Sequence, residues 1–145
     1  MSLDELIRSV LQQTRSIAVV GYSMKPQRAS NYVSAFLAGH GYEILPVNPG
    51  HAGAQALGNT VVSHLRDLNR PVDMIDVFRR PDALPQVLEA VQEMQHVPKV
   101  LWMQLGISHA GVAREAEEMG ITVIQNRCPK IEIPRLFGAS SPLGG

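Results

Sequence analysis

The sequence predicts an α/β domain, a Rossmann-like three-layer doubly wound parallel sheet of about five strands. Three observations lead there. Short apolar runs alternate with longer stretches of helical periodicity, the pattern of strands joined by crossover helices. The runs are continuously apolar, as expected of strands covered on both faces. Each run also ends in glycine, asparagine, glutamine or arginine, at the edge where open α/β sheets hold ligands.

The elements follow in order. After Ser2, residues Leu3, Leu6, Ile7, Val10 and Leu11 recur at helical spacing and predict an amphipathic helix ending near Thr14. Ile17 to Val20 predicts a buried strand broken at Gly21. A helix is expected over Asn31 to Ala38, with Gly39 and Gly41 flanking His40 where a left-handed cap is wanted. Glu43 to Val47 predicts the second strand, Ser63 to Leu68 a short helical turn, and Met74 to Val77 the third strand. Pro81 and Asp82 suit the start of a helix running to Gln95, with Pro85 in its first turn. Val100 to Met103 predicts the fourth strand, Ala110 to Met119 a helix closed by Gly120, and Thr122 to Ile124 the fifth strand. Residues 1–137 form the expected domain. Residues 138–145, rich in Gly, Ser and Pro, are expected to form a flexible tail.

Composition limits the class. The chain has 145 residues, 45% of them hydrophobic, which suits one domain with a core of its own. Thirteen basic residues balance thirteen acidic ones, so the charge signature of a general nucleic-acid binder is missing. No apolar run approaches the roughly 20 residues that cross a bilayer. The start Met1-Ser-Leu-Asp-Glu lacks the basic and apolar parts of a signal peptide, and the single cysteine, Cys128, excludes an intramolecular disulfide. The expectation is a cytoplasmic protein.

The loop from Gly21 to Ser30 carries the strongest chemical signal. Gly21 permits torsions that a side chain obstructs and lets a ligand approach the main chain, Lys25 and Arg28 supply positive charge, and Ser30 stands where the next helix begins. The alternative is a plain strand end with solvated charges. The loop has neither the three glycines of a dinucleotide fingerprint nor the Gly-Lys-Ser/Thr of a P-loop, so phosphate binding here must rely on side-chain charge. Arginine recurs at the other strand ends, in Arg79, Arg80 and Arg127, and its planar fork matches phosphate oxygens. After the second strand a dehydrogenase would carry an acid for the ribose hydroxyls; this chain has Asn48 between Pro46 and Pro49. That argues against NAD and for an adenine nucleotide with several phosphates, such as coenzyme A.

The motifs Gly21-Tyr-Ser-Met-Lys-Pro-Gln-Arg-Ala-Ser30, Gly41-Tyr42 with Val47-Asn-Pro49, Val72-Asp73 with Asp76-Val-Phe-Arg79, Trp102-Met-Gln-Leu-Gly106, and Asn126-Arg-Cys128 with Ile131-Glu132 stand in a specific order. Over about residues 5–137 the chain resembles the small CoA-binding proteins, whose domain also forms the CoA-binding part of succinyl-CoA synthetase alpha subunits. The resemblance implies that CoA or an acyl-CoA is the ligand. It implies that Gly21, Tyr22 and Ser23 lie at the diphosphate, and that Lys25, Arg28, Ser30, Val47, Asn48, Pro49 and His51 form the basic loops meeting the 3′-phosphate. Val77, Phe78 and Arg79 are then expected to flank the adenosine end, and Gln104, Leu105 and Gly106 to run beside pantetheine.

Three positions depart from the family pattern: Ala29 replaces a common proline, Gly50-His51 replaces a lysine or arginine after Asn-Pro, and Asn126 replaces an aspartate. A neutral His51 holds phosphate less well than lysine unless the phosphate raises its pKa.

Cys128 is the one candidate nucleophile, with Arg127 expected to favour its thiolate; the alternative is a buried structural cysteine. His109 is expected in the first turn of a helix, His64 and His96 on surface helices and His40 at a helix end, with no metal-ligand spacing. Asp73 and Asp76 are expected to flank a strand and hydrogen-bond its ends, and Trp102 to fill the core. In the synthetases a phosphorylated histidine in a second domain and a nucleotide-binding partner do the chemistry, and this sequence contains neither. The reading is a stand-alone CoA-binding module acting as carrier, sensor or accessory protein, with a protein partner or homo-oligomer possible. The alternatives are an NAD(P)-dependent oxidoreductase, a Cys128-dependent acyl-CoA enzyme, or a subunit lending its CoA site to a separate ligase.

Overall fold

The computed structural model describes residues 1–144. Five parallel strands form its sheet: β1 (Ser16–Val20), β2 (Glu43–Val47), β5 (Met74–Val77), β6 (Val100–Met103) and β7 (Thr122–Ile124), in the order β2-β1-β5-β6-β7. Two two-residue strands, β3 (Gln55–Ala56) and β4 (Asn59–Thr60), make a separate hairpin turned by Leu57 and Gly58, both at positive φ. The sequence reading had no hairpin there.

Side-chain alternation sorts the two faces of the sheet. Ile17 and Val19 of β1 pack with α1 (Leu3–Gln13), α2 (Ala29–Gly39) and α5 (Pro129–Phe137), whereas Ala18 and Val20 pack with α3 (Leu84–Gln92) and α4 (Ala110–Glu118). The result is the three-layer, doubly wound arrangement expected. The register pairs Val20 with Val47 on one side and with Val77 on the other, so the C-terminal ends of β1, β2 and β5 lie level.

Helix ends explain the boundaries. Ser2 caps α1, its Oγ accepting from the Glu5 amide at 3.1 Å while Glu5 Oε1 accepts from the Ser2 amide at 3.3 Å. The helix predicted over Asp82 to Gln95 is split into a 3-10 turn at Pro81–Ala83 and the α-helix Leu84–Gln92, because Pro85 fits only near a helix start. His96 therefore lies in a loop, not on a helix. The last helix, α5, is an addition to the predicted set: Pro129 stands in its first turn, and Pro134 in its interior conceals it from sequence patterning. Arg135 fixes α5 to α1 through Asp4, at 2.8 Å, and also holds the buried Glu132.

Of the tail expected at residues 138–145, Gly145 lies outside the described residues; Pro142 is buried, Leu143 packs on the α2 side, and His40 Nδ1 is 3.0 Å from Ser141 Oγ. Among the described residues no helix is long and apolar enough to cross a membrane.

Candidate ligand-binding site

The chain passes from β1 to β2 on one side and later returns to β5 on the other. Strand order thus reverses between β1 and β5, and a crevice opens beyond their ends. Gly21 and Phe78 form its seam. Gly21 has φ +86°, and a Cβ there would stand 2.6 Å from the Phe78 carbonyl oxygen. The close approach that requires glycine is therefore made by neighbouring main chain, where the sequence suggested a ligand.

The first-loop amides are committed within the fold. Gly21 N–H donates to Val47 O at 3.1 Å, Tyr22 N–H to the same oxygen at 3.3 Å, and Ser23 N–H to Ser30 Oγ at 2.9 Å. The free donors are displaced toward the helix. α2 begins at Ala29, two residues before the predicted start, so Ser30 lies buried inside its first turn and Arg28 takes the cap position without a side-chain cap. The Ala29 and Ser30 amides have no partner among the described residues and carry the positive end of the helix dipole. Lys25, Arg28, Ser23 and His51 line the same cavity of about 410 Å³.

Charge pairing divides the arginines. Lys25, Arg28 and Arg79 have no carboxylate partner among the described residues, whereas Arg80 meets Asp82 at 3.4 Å and Arg127 meets Glu132 at 3.2 Å. Arg127 is thereby drawn away from the phosphate role suggested by its place after the fifth strand. Asn48 joins the first two loops, since its Nδ2 donates to Tyr22 O at 2.7 Å and its Oδ1 accepts from the Gly50 amide at 2.8 Å. The 3-10 turn Pro49–His51 that follows presents His51. Tyr22, Val47 and Val77 act beneath this surface: all three side chains are in the core, and the Tyr22 hydroxyl accepts from Asn31 Nδ2.

Two further cavities share walls with the first. A groove of about 700 Å³ runs between α2, the loop after β6 and the start of α5, lined by Tyr32, Phe78, Gln104, Leu105, Cys128 and Ile131. A cavity of about 340 Å³ lies on the other side of the seam, against Val47, Asn48, His64, Val87 and Ala90. Phe78 and Ala29 border both the groove and the cationic cavity, Gly21 and Asn48 border both the cationic and the smaller cavity, and Arg79 touches groove and smaller cavity alike. The three are parts of one bent crevice.

Beneath the groove, behind Gln104, lies the least expected group. Asp76 lies inside β5, not at its end, and is fully buried. Oδ1 accepts from Gln104 Nε2 at 2.7 Å, while Oδ2 has no partner. Burial raises this carboxyl to about 7, with the Gln104 bond opposing. Asp73 behaves as expected, accepting at the start of β1 from the Arg15 and Ser16 amides at 2.8 and 3.1 Å. Gly106 turns at φ +82°, and its amide donates to Asn126 Oδ1 at 2.7 Å, so the asparagine that departs from the family pattern holds this loop.

Cys128 is half-buried at the groove wall. Burial pushes its thiol up from the ordinary value, as does the nearby Asp76. This corrects the expectation of an Arg127-favoured thiolate. Trp102 is core, its Nε1 donating to Arg127 O at 2.8 Å. Two histidines have structural places: His109 caps α4, its Nδ1 accepting from the Val112 amide at 3.0 Å, and His64 opens a 3-10 turn.

Residues 15–134 match the model of the CoA binding domain family. The chain belongs to that family. It is 40% identical over 125 residues to the uncharacterized protein YneT of Bacillus subtilis, covering 86% of this chain and 90% of that one. A Thermus thermophilus protein, cell-free ID.343, is 40% identical with a TM-score of 0.87, over 94% of this chain and all of the other. The fold also recurs, at 20% identity and a TM-score of 0.65, in an acetyl-coenzyme A synthetase of Ca. Korarchaeum cryptofilum determined with phosphate and ADP, where 86% of this chain matches 28% of the larger one.

Proposed function

We propose that this member of the family is a stand-alone CoA or acyl-CoA binding module, serving as carrier, sensor or accessory protein in the cytoplasm, without turnover of its own. The observation that carries this reading is the continuity of three unlike cavities around the switch point. CoA is a long ligand with an aromatic head, a cluster of phosphates and a mainly uncharged arm. The small cavity beside Val87 and Ala90 suits adenine, the cationic cavity suits the phosphates, and the apolar groove suits pantetheine. Arg79 stands where the adenosine end meets the others. Lys25, Arg28 and His51 take the 3′-phosphate, and the α2 amides with Ser23 take the diphosphate. Phe78 separates phosphates from arm.

Binding is favoured over Cys128-dependent chemistry because a thiol held up by burial is a poor nucleophile at neutral pH. The test is calorimetric titration of the reduced protein with CoA, dephospho-CoA and NAD in parallel. Saturable one-to-one binding of CoA, weaker dephospho-CoA and no heat from NAD is the expected result; binding of NAD alone overturns the reading.

A further inference from the structure

We infer that Asp76 is a positioning residue for the pantetheine arm, acting through Gln104, whose amide it orients so that the groove presents a hydrogen-bond acceptor. This rests on the CoA reading and assigns a determinant within it. Asp76 occupies the central strand of the sheet, with Val19 and Trp102 beside it in register. Val19 is apolar and the Trp102 indole N–H is taken by Arg127 O, so the strands on either side offer the carboxylate no side-chain donor. Such a group is costly to bury with one hydrogen bond, and no structural partner explains its place.

Its single bond has a directional consequence. Once ionised, the carboxylate only accepts, so the end of Gln104 that faces it, 2.7 Å away, must be the NH₂. The opposite end of the amide, Oε1, accepts no hydrogen bond among the described residues, and Gln104 lines the apolar groove. The backbone of Gln104 is itself fixed, its carbonyl accepting from the Ile107 amide at 2.8 Å. The groove therefore offers an oriented acceptor on a mainly apolar wall whose charged side chains, Arg79, Arg80 and Lys130, can only donate. Pantetheine carries two amide N–H donors, and one of them is the matching group. Without the carboxylate, the Gln104 amide is as free to present its NH₂, which would oppose an N–H on the ligand. Cys128, at the start of α5, is the titratable side chain close to Asp76, and its thiol is held in the neutral form.

The test compares CoA with adenosine 3′,5′-bisphosphate, which lacks the arm, at pH 8 by calorimetry. Asp76→Asn and Gln104→Ala should each weaken CoA about threefold or more, the double variant no further than Gln104→Ala, and the bisphosphate should bind all of them as it binds the wild type. The side-chain amide resonances of Gln104 in the wild type should move with pH around neutrality and should stop doing so in Asp76→Asn. Unchanged CoA affinity in Asp76→Asn, equal loss of both ligands, or a pH-independent Gln104 resonance in the wild type overturns the inference. A wild type that binds the bisphosphate with full CoA affinity removes the arm from the groove and overturns it too. A wild type that binds neither ligand overturns the CoA reading itself.

Discussion

Replacing Asp76 with asparagine should stabilise the protein, and by more as the pH rises. In the native chain burial holds the carboxyl at about 7, against 3.8 for the unperturbed group. Between those values the native state keeps a proton that the unfolded chain has released, so wild-type stability falls as pH increases through the window. Asparagine, an uncharged mimic of the protonated acid, is exempt from that fall. With about 1.4 kcal/mol per pH unit, a gap of roughly three units makes the ionised carboxylate cost about 4 kcal/mol at pH 8. At pH 5 only the first part of the window has been crossed, and the cost is about 2 kcal/mol. Urea unfolding of both proteins at pH 5 and pH 8, with equal m-values as the control for an unaltered unfolded state, reads the two differences. A variant less stable than the wild type at pH 8, or a difference that is the same at both pH values, would mean that Asp76 is not destabilised as an ion.

Three further outcomes are expected. Gly21→Ala should cost about 2 kcal/mol or more, since its Cβ would stand 2.6 Å from the Phe78 carbonyl at a left-handed φ; an unchanged thermal midpoint would show that the β1–β5 seam can open freely. Lys25→Ala and Arg28→Ala should weaken CoA more than dephospho-CoA in titration calorimetry, and equal losses would move both side chains away from the 3′-phosphate. Cys128 should react with iodoacetamide at pH 7 more slowly than a free thiol, with the rate rising as the pH passes the ordinary cysteine range; rapid alkylation at pH 7 would restore it as a nucleophile candidate.

What could be read from the sequence was whatever depends on burial periodicity. Four of the five main strands have the predicted ends, and the other begins one residue earlier, because an apolar run between turn residues is a local property. The position of the cationic loop was legible for the same reason. Its donors were not. Whether the amides of Gly21, Tyr22 and Ser23 face a ligand depends on the Val47 carbonyl and the Ser30 hydroxyl, and both are brought there by sheet pairing and by a helix start that local preference misplaced by two residues. Ser30 reads as a helix cap in sequence and serves as a brace for Ser23 in space. α5 was hidden by Pro134, a residue whose local cost is overridden by the packing of Ile133 and by Arg135 bridging Asp4 and Glu132. Asp76 illustrates the same limit. In the run Met-Ile-Asp-Val an acid suggests an exposed strand end, and only the order of the strands shows that it lies beneath the groove, sealed from water.

A formally neutral chain can still hold a polyanion because pairing here is local. Arg66, Arg70, Arg80, Arg127 and Arg135 each meet a carboxylate within 4 Å, so their charges are largely cancelled where they stand. Lys25, Arg28 and Arg79 are without such partners among the described residues and border the same crevice. At physiological ionic strength charges separated by more than about 8 Å are largely screened from one another, so acids remote from the crevice do little to offset these three. An approaching anion meets the local excess, reinforced by the uncapped start of α2, and the net charge that argues against nucleic acid is no argument against phosphate. The same short range separates the two ends of the crevice: on the CoA reading Lys25, Arg28 and Arg79 would meet the phosphates, while the groove beyond Phe78 would discriminate by shape and by the orientation of one amide.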